Sequence, residues 1–258
     1  MKIISLGWGV QSFTLAAMSA LGELEPVDFA IHADTTHESQ LTYQFATRWS
    51  PWFEEHNLQI YTVKPKNADP IKNQDGFSDV PYYSASVSHG NGQTKRQCTT
   101  HWKIIPMRQM ISAYLKSQKV TKTAGIVEQW IGISMDEWQR MKDNDVKYIR
   151  NRWPLIEKKM TRADCVLWLE IHGLEIPPRS ACTFCPFHNT EEWRRIKANE
   201  SDWAEAVRVD RAIRKNDWKF DQFVHPARRP LEEVDLRTET EKGQLSIWDQ
   251  ECSGVCGV

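Results

Sequence analysis

Two groups of residues in this 258-residue chain have the types and spacing to do chemistry. The first is the turn Ser5-Leu6-Gly7-Trp8-Gly9-Val10-Gln11-Ser12. Glycine lets backbone approach a phosphate closely and adopt positive φ. The helix that follows offers free N–H groups and the positive end of its dipole, and Ser5 and Ser12 add hydroxyls. The Lys of a Walker A loop and the third Gly of G-x-G-x-x-G are both missing. On its own the turn therefore fits any phosphate, or only a tight strand-to-helix connection. The second group is Cys182-x-x-Cys185, a spacing at which two thiolates hold one corner of a metal site without fixing zinc or iron–sulfur. Cys98 is remote in sequence but follows a long irregular stretch, so it can fold over the same place. Cys252 and Cys256 lie in the tail Glu251–Val258, where a thiol that reaches the site suits nucleophilic or persulfide chemistry. Incidental cysteines in an exposed tail are the plain alternative. Cys165 falls on the apolar face of a helix over 162–172 and reads as a buried structural thiol.

The elements that must position these groups follow from hydrophobic period. Ile3–Leu6, Val27–Ala33, Gln59–Val63 and Val127–Ile133 read as strands. Gln11–Ala20 reads as a helix stopped by Gly22. Leu41, Phe45, Trp49, Trp52 and Phe53 recur at helical spacing, with Pro51 expected to break the run. Ile104 to Leu115 is helical, and Thr161-Arg162-Ala163-Asp164 caps a helix ending at Gly173. Two more helices are expected at about 190–199 and 202–215. Residues 64–97 are dense in Pro, Asn, Gly and Ser and read as a long irregular loop, functional or mobile before it is scaffold. Alternating strands and helices predict an α/β fold, a mainly parallel twisted sheet with helices on both faces, with a helical C-terminal part. The division expected is a nucleotide-binding domain over 1–175, with 176–258 carrying the Cys-x-x-Cys loop, helices and tail. Ligands in such folds bind beyond the carboxyl ends of the strands, which gathers Gly7–Ser12, Asp34–Glu38 and Gly132–Glu137 on one rim.

Composition narrows the classes. Net charge is −1, so the whole molecule does not predict nucleic-acid binding, though a local basic patch remains compatible with it. Candidates are Lys95-Arg96, Arg179, His225-Pro226-Ala227-Arg228-Arg229-Pro230, and Trp193-Arg194-Arg195 with Lys197; each alone reads equally as solvated surface. The 12 Trp are irregularly spaced, so they are core or base-stacking residues and not a repeat. The eight His show no metal-ligand spacing. No run of about 18 apolar residues predicts a membrane span. Lys2 and the apolar stretch to Ala20 outline a signal peptide, but Gly7, Gly9, Gln11 and Ser12 interrupt it, so a cytoplasmic location is expected. Six Cys in such a chain point to metal or redox chemistry before disulfides.

The turn Ser5-x-Gly-x-Gly-x-Gln-Ser12 resembles the pyrophosphate loop of the ATP-pyrophosphatase-like (PP-loop, adenine nucleotide alpha hydrolase-like) superfamily. The likeness is greatest to its phosphoadenosine phosphosulfate (PAPS) reductase branch, of the kind found in phages and mobile elements. His32-Ala33-Asp34-Thr35-Thr36-His37-Glu38 resembles that family's Asp-Thr-Gly…Glu-Thr stretch, with Thr36 in place of Gly. Cys98, Lys103 and Pro106 resemble its Cys-Cys-x-x-Arg-Lys-x-x-Pro segment, with one cysteine of the pair. Gly132-Ile133-Ser134-Met135-Asp136-Glu137 resembles its Gly-x-Arg turn, without the Arg. Pro177 to Phe187 resembles its Cys-x-x-Cys segment. The order holds over residues 3–188.

The resemblance implies an adenine nucleotide, ATP or a relative, held by Ser5, Gly7, Gly9, Gln11, Ser12, Asp34 and Gly132 with Mg2+ on its phosphates. It further implies a [4Fe–4S] cluster on Cys98, Cys182 and Cys185. Cys256 or Cys252 would be the fourth ligand, or the fourth iron stays open as in some tRNA-thiolating relatives. Zinc, or thiols without metal, are the alternatives. Three readings follow. The first is an ATP-dependent sulfur transferase acting on tRNA or DNA, drawing on a sulfur donor. The second is a sulfonucleotide reductase in which Cys252 attacks the substrate sulfur and a thioredoxin-like partner releases sulfite. The third is a non-catalytic nucleotide-binding subunit of a phage or defence system.

Overall fold

The computed structural model describes residues 1–72, 77–85, 91–214, 221–237 and Glu241. In chain order the elements are β1 (Lys2–Ser5), α1 (Val10–Ala20), β2 (Phe29–Ala33), α2 (Gln40–Glu55) and β3 (Ile60–Val63). β4 (Tyr83–Ala85), β5 (Gly92–Gln93), a π-helical turn over Thr99–Ile104, α3 (Ile105–Ser117) and β6 (Val127–Ile131) come next. A 3-10 turn over Met135–Arg140 precedes β7 (Ile149–Arg152), α4 (Pro154–Glu157), α5 (Arg162–Ile171), α6 (Thr190–Ala198), α7 (Glu200–Arg214) and β8 (Asp221–Phe223).

The chain divides into two compact units, residues 1–79 with 95–182, and residues 80–94 with 183–258. The division between these units falls at Cys182, where the sequence suggests 175, and residues 80–94 of the long loop belong with the C-terminal unit. In the first unit five strands pair in the order β3-β2-β1-β6-β7, every neighbour parallel. Alternation along the strands sorts the core into two layers. Ile4, Ala30 and Trp130 pack with α1, α2 and α5 through Phe13, Phe45, Phe53 and Leu169. Ile3, Phe29, Ile31, Val127 and Ile149 face α3 through Met107, Ile111 and Leu115. The sheet therefore carries helices on both faces, as predicted.

Local signals explain most element ends. Thr161 and Asp164 close a reciprocal capping box on α5, and Gly173 leaves it at φ +64°. Asn189 and Glu192 do the same for α6. Pro51 does not break α2, contrary to expectation. Phe45 and Phe53 on either side of it are buried in the same core, and that burial outweighs one missing backbone bond. Burial also pushes the Cys165 thiol up to about 12, in keeping with a structural role.

The second unit has an antiparallel sheet in the order β5-β4-β8 and the helices α6 and α7. Buried Asp210 organises it, accepting from the Val224 amide at 3.2 Å and the Leu231 amide at 2.9 Å while pairing with Arg214. Trp193 is fully buried, which removes it as a base-stacking candidate. Arg194 pairs with Glu241 at 2.7 Å, Arg195 with Glu191, and Arg228 donates to the Ser84 carbonyl at 3.1 Å. These basic residues are engaged within their own unit. Among the described residues no helix is long and apolar enough to cross a membrane.

Candidate functional site

Strand order fixes where a ligand enters the first unit. From β1 the chain moves outward to β2 and β3 with α1 and α2 on one face, then crosses back by α3 on the other face to β6. The order reverses between β1 and β6, so their carboxyl ends open a crevice. The loops leaving those two ends are Leu6–Gly9 and Gly132–Ser134. A Cβ on Gly132 would lie 2.7 Å from Ser12 N and Cα and 2.9 Å from the Gln11 carbonyl carbon. Only glycine lets the β6 loop press against the first turn of α1 this closely. Gln11 Nε2 then donates to Ser134 Oγ at 3.4 Å and Glu137 Oε2 at 3.2 Å.

The turn itself differs in detail from expectation. Gly7 and Gly9 are not in the left-handed region; Trp8 between them is, at φ +57°. A Cβ at Gly7 would come no closer than 3.7 Å to its nearest neighbour, and one at Gly9 no closer than 4.0 Å. The protein's own packing therefore does not demand these glycines, and the space over them is a cradle a side chain would fill. Ser12 Oγ accepts from the Gly7 amide at 3.1 Å and donates to the Gly9 carbonyl at 3.2 Å, closing the turn internally. Ser5 Oγ turns toward α3 and reaches Met107 Sδ at 3.5 Å. Among the described residues the N–H groups of Trp8, Gly9, Val10, Gln11 and Ser12 have no acceptor. These amides at the start of α1 are the free donors of the turn.

Beneath the turn, His32 is buried and its Nδ1 meets the Leu6 carbonyl at 3.2 Å. Burial lowers its pKa against opposing pulls from Leu6, Glu38 and Asp34, so the ring is neutral at neutral pH. Asp34, at the end of β2, is buried too. Its Oδ1 accepts from the Thr36 amide at 2.7 Å and the Tyr43 hydroxyl at 2.8 Å, and Oδ2 lies 3.3 Å from Lys64 Nζ. Burial alone would raise Asp34, yet those partners outweigh it and its pKa is lowered. Thr36, standing where the resembled motif has Gly, holds a left-handed φ of +66°.

A third cluster joins the turn to the thiols. The Glu38 carboxylate, 1% exposed, lies 3.3 Å from Lys103 Nζ and accepts from Ser180 Oγ at 3.1 Å. Ser180 Cβ is also the atom that a Cβ built on Gly9 would meet, at 4.0 Å. Glu38 pairs through its backbone with Cys182, and Thr35 Oγ1 lies 3.3 Å from Cys182 Sγ. Burial lowers the pKa of Lys103, but Glu38, Cys182 and Cys98 together raise it. Gly9, Ser180, Glu38, Lys103, Cys182 and Cys98 thus form one continuous rim.

The π-helical turn places two members of that rim. In an α-helix a residue five positions on sits about 140° round the axis. An i→i+5 spiral turns it back toward the starting side, which sets Lys103 nearer the side of Cys98 than an α-helix would. Asp79 pins this turn. Its carbonyl accepts from the Gln97 and Cys98 amides at 2.8 and 2.9 Å. Its buried carboxylate accepts from His101 Nδ1 and Trp102 Nε1, each at 2.9 Å.

Of the residues expected at the site, Gly7, Gly9, Gln11, Ser12, Asp34 and Gly132 border the crevice or the rim, and Ser5 faces α3. Cys182 meets Thr35 and pairs through its backbone with Glu38, Cys98 lies at the start of the π-helical turn that carries Lys103, and Cys185 belongs to the second unit. Among the described residues no three His, Cys, Asp or Glu side chains gather as a metal-holding group. Cys252 and Cys256 lie outside the described residues. Tyr43, Lys64 and Asp79 were not singled out by the sequence, where nothing in their spacing marks them.

No protein-family model and no curated protein matches the chain. Among solved structures it is similar to phosphoadenylyl-sulfate (PAPS) reductase from Candida auris in a phosphate complex. That likeness has 14% identity and a TM-score of 0.43, over 68% of this chain and 74% of that one. It is also similar to the U34-tRNA thiolase NcsA from Methanococcus maripaludis with its [4Fe-4S] cluster. There too identity is 14% and the TM-score 0.43, over 84% of this chain and 74% of that one. At this level neither likeness assigns a role to a residue.

Proposed function

We propose that this chain is an adenine-nucleotide-binding enzyme of the PAPS reductase-like type, with the nucleotide phosphates on the Gly7–Ser12 turn and sulfur chemistry beside it. The observation that carries this reading is the path from Gly9 through Ser180 to Glu38, which pairs with Lys103 and through its backbone with Cys182, Cys98 standing at the start of the π-helical turn that carries Lys103. It brings a phosphate cradle and two thiols to one rim, in the order of the resembled motifs. Mg2+ would arrive on the phosphates, since such ions take few ligands from protein. The acceptor's carbonyl oxygen attacks the α-phosphorus of ATP and pyrophosphate leaves. A sulfide-level sulfur from an external donor then forms a C–S bond as the C–O bond breaks, and AMP departs with the electron pair. Glu38 keeps Lys103 charged and fixed beside the thiols, and Asp34 holds the neighbouring loop.

A cluster needs more thiolate ligands than Cys98 and Cys182, and the described residues do not gather three donors. Cys98, Cys182 and Cys185 are the residues that would compete for iron, with Cys252 or Cys256 as the fourth. A tRNA or DNA acceptor and a cytoplasmic, reducing location belong to the same reading; reduction of a sulfonucleotide with a thioredoxin-like partner is its rival.

Calorimetric titration with ATP tests the nucleotide site. Gly9→Ala adds a methyl without a clash in the free protein, so we expect a normal melting curve and a loss of affinity of about tenfold or more. Equal affinity in the variant removes the turn as the site. Pyrophosphate release that depends on an added nucleic acid supports sulfur transfer. Sulfite release from a sulfonucleotide with a dithiol, and none of the former, replaces it with the reductase reading.

A further inference from the structure

Trp8 holds the most costly backbone conformation in the turn. Its φ of +57° is in the region that glycine adopts freely and a bulky L residue avoids. Yet the flanking Gly7 and Gly9 are not left-handed, and Gly9 sits at φ −96° and ψ 168°. The strain is carried by the residue least suited to it, so something must hold it there.

That restraint is the core. The Trp8 side chain is 1% exposed and drives into the layer between β1, α1 and α2. Its ring centroid lies 6.4 Å from Phe13, 6.2 Å from His32, 6.3 Å from Phe45 and 6.1 Å from Phe53. Nε1 is buried with no hydrogen-bond partner, so the ring is held by packing alone. His32 braces the residue before the turn through the Leu6 carbonyl, and Gly132 braces the residues after it at Gln11 and Ser12. The backbone of Trp8 cannot rotate unless the indole leaves the core, so the following amides are held in one orientation.

We propose that Trp8 is a positioning residue: its buried indole locks the turn in an anion-ready conformation before any ligand arrives. A tetrahedral phosphate oxyanion then meets the N–H groups of Trp8, Gly9, Val10, Gln11 and Ser12 already aligned, as in a preformed backbone nest. The turn itself contains no Lys or Arg, so backbone alignment has to supply what a charged side chain supplies elsewhere. This inference rests on the nucleotide reading and adds to it the device that sets the turn.

The test compares the full chain with Trp8→Phe and Trp8→Gly, using ATP titration, thermal melting and hydrogen exchange at residues 8–12. Since the indole N–H makes no bond, Phe keeps the anchor, and affinity should stay within about threefold. Trp8→Gly removes anchor and strain together. It should lose about tenfold or more in affinity and exchange its turn amides faster, while still melting cooperatively. A Trp8→Gly chain that binds ATP as tightly as the wild type overturns the proposal. Should Trp8→Gly fail to fold, Phe53→Leu loosens the ring without touching the turn; weaker binding with faster exchange at 8–12 supports the proposal, and unchanged values overturn it. If the wild-type chain binds no adenine nucleotide, the nucleotide reading falls first and this inference falls with it. If the wild type binds but Trp8→Gly does not differ from it, this inference alone falls.

Discussion

Thr36 pays a strain that its position in the loop does not require. A β-branched residue at φ +66° costs roughly 1–2 kcal/mol, and glycine recovers this less about 0.5–1 kcal/mol of extra chain entropy. The amide that bonds Asp34 is unaffected by the change. Thr36→Gly is therefore expected to leave stability equal or raised by up to about 1 kcal/mol, visible as a melting point higher by as much as about 2–4 °C. A lower melting point would mean that the Thr36 side chain makes a contribution the backbone argument omits. The same residue shows how legible single positions were. Thr36 stands where the resembled motif has Gly, and its backbone takes a left-handed conformation that glycine adopts freely. Asp34 was readable because a carboxylate at a strand's carboxyl end is where such folds place ligands. Tyr43 and Asp79 were not, since their contacts depend on how distant segments fold.

At the level of elements, the critical fit is the β6 loop against the start of α1. Gly132→Ala puts a methyl within 2.7 Å of Ser12 backbone, which no side-chain rotation relieves. Overpacking of this kind costs about 1–3 kcal/mol. Because the displaced backbone is the phosphate turn itself, ATP affinity should fall along with denaturation midpoint; a loss of stability with affinity intact would separate the two loops functionally. The sequence made the central strands plain, because β2 is buried along its whole length and β1 and β6 carry the buried apolar residues Ile3, Ile4, Val127 and Trp130. It hid β7, whose Ile149-Arg150-Asn151-Arg152 has one fully buried position and no alternation. The strands β4 and β5 were lost in the long loop, being too short and polar to show a period. The π-helical turn left no mark either, since Cys98 and Lys103 are five apart and fall on different faces of an ordinary helix.

The whole molecule has a definite pH window of stability. Burial lowers the pKa of both His32 and His225 in the folded chain. A histidine lowered in this way gives stability that is complete above its unfolded value near 6.5 and drains away as pH falls below it. Asp34 and Glu128 are also lowered, so their contributions persist until pH drops through the carboxylate range and are lost there. Lys103 is raised, and its share disappears only as pH climbs through its elevated value. Chemical denaturation across pH should therefore show a plateau from neutral to mildly alkaline pH and a decline that begins below about 6.5. His32→Asn, which can still donate to the Leu6 carbonyl, should flatten the first part of that decline. An unchanged slope would mean that His32 titrates alike in both states.

The division into two units also sets an order of events during synthesis. Every strand of the parallel sheet has been made once Arg152 is added, because β7 is its last strand, and the covering helix α5 follows within twenty residues. The smaller sheet must wait, since Tyr83 on β4 pairs with Phe223 on β8 and the whole of the larger unit's second segment lies between them. Chains are made at about 5–20 residues per second and fold from the N-terminal side. For several seconds, then, a nascent chain holds β4 with one edge open and its partner not yet in existence. At three residues, Tyr83-Ser84-Ala85 is so short that its open edge is a poor template for any other strand.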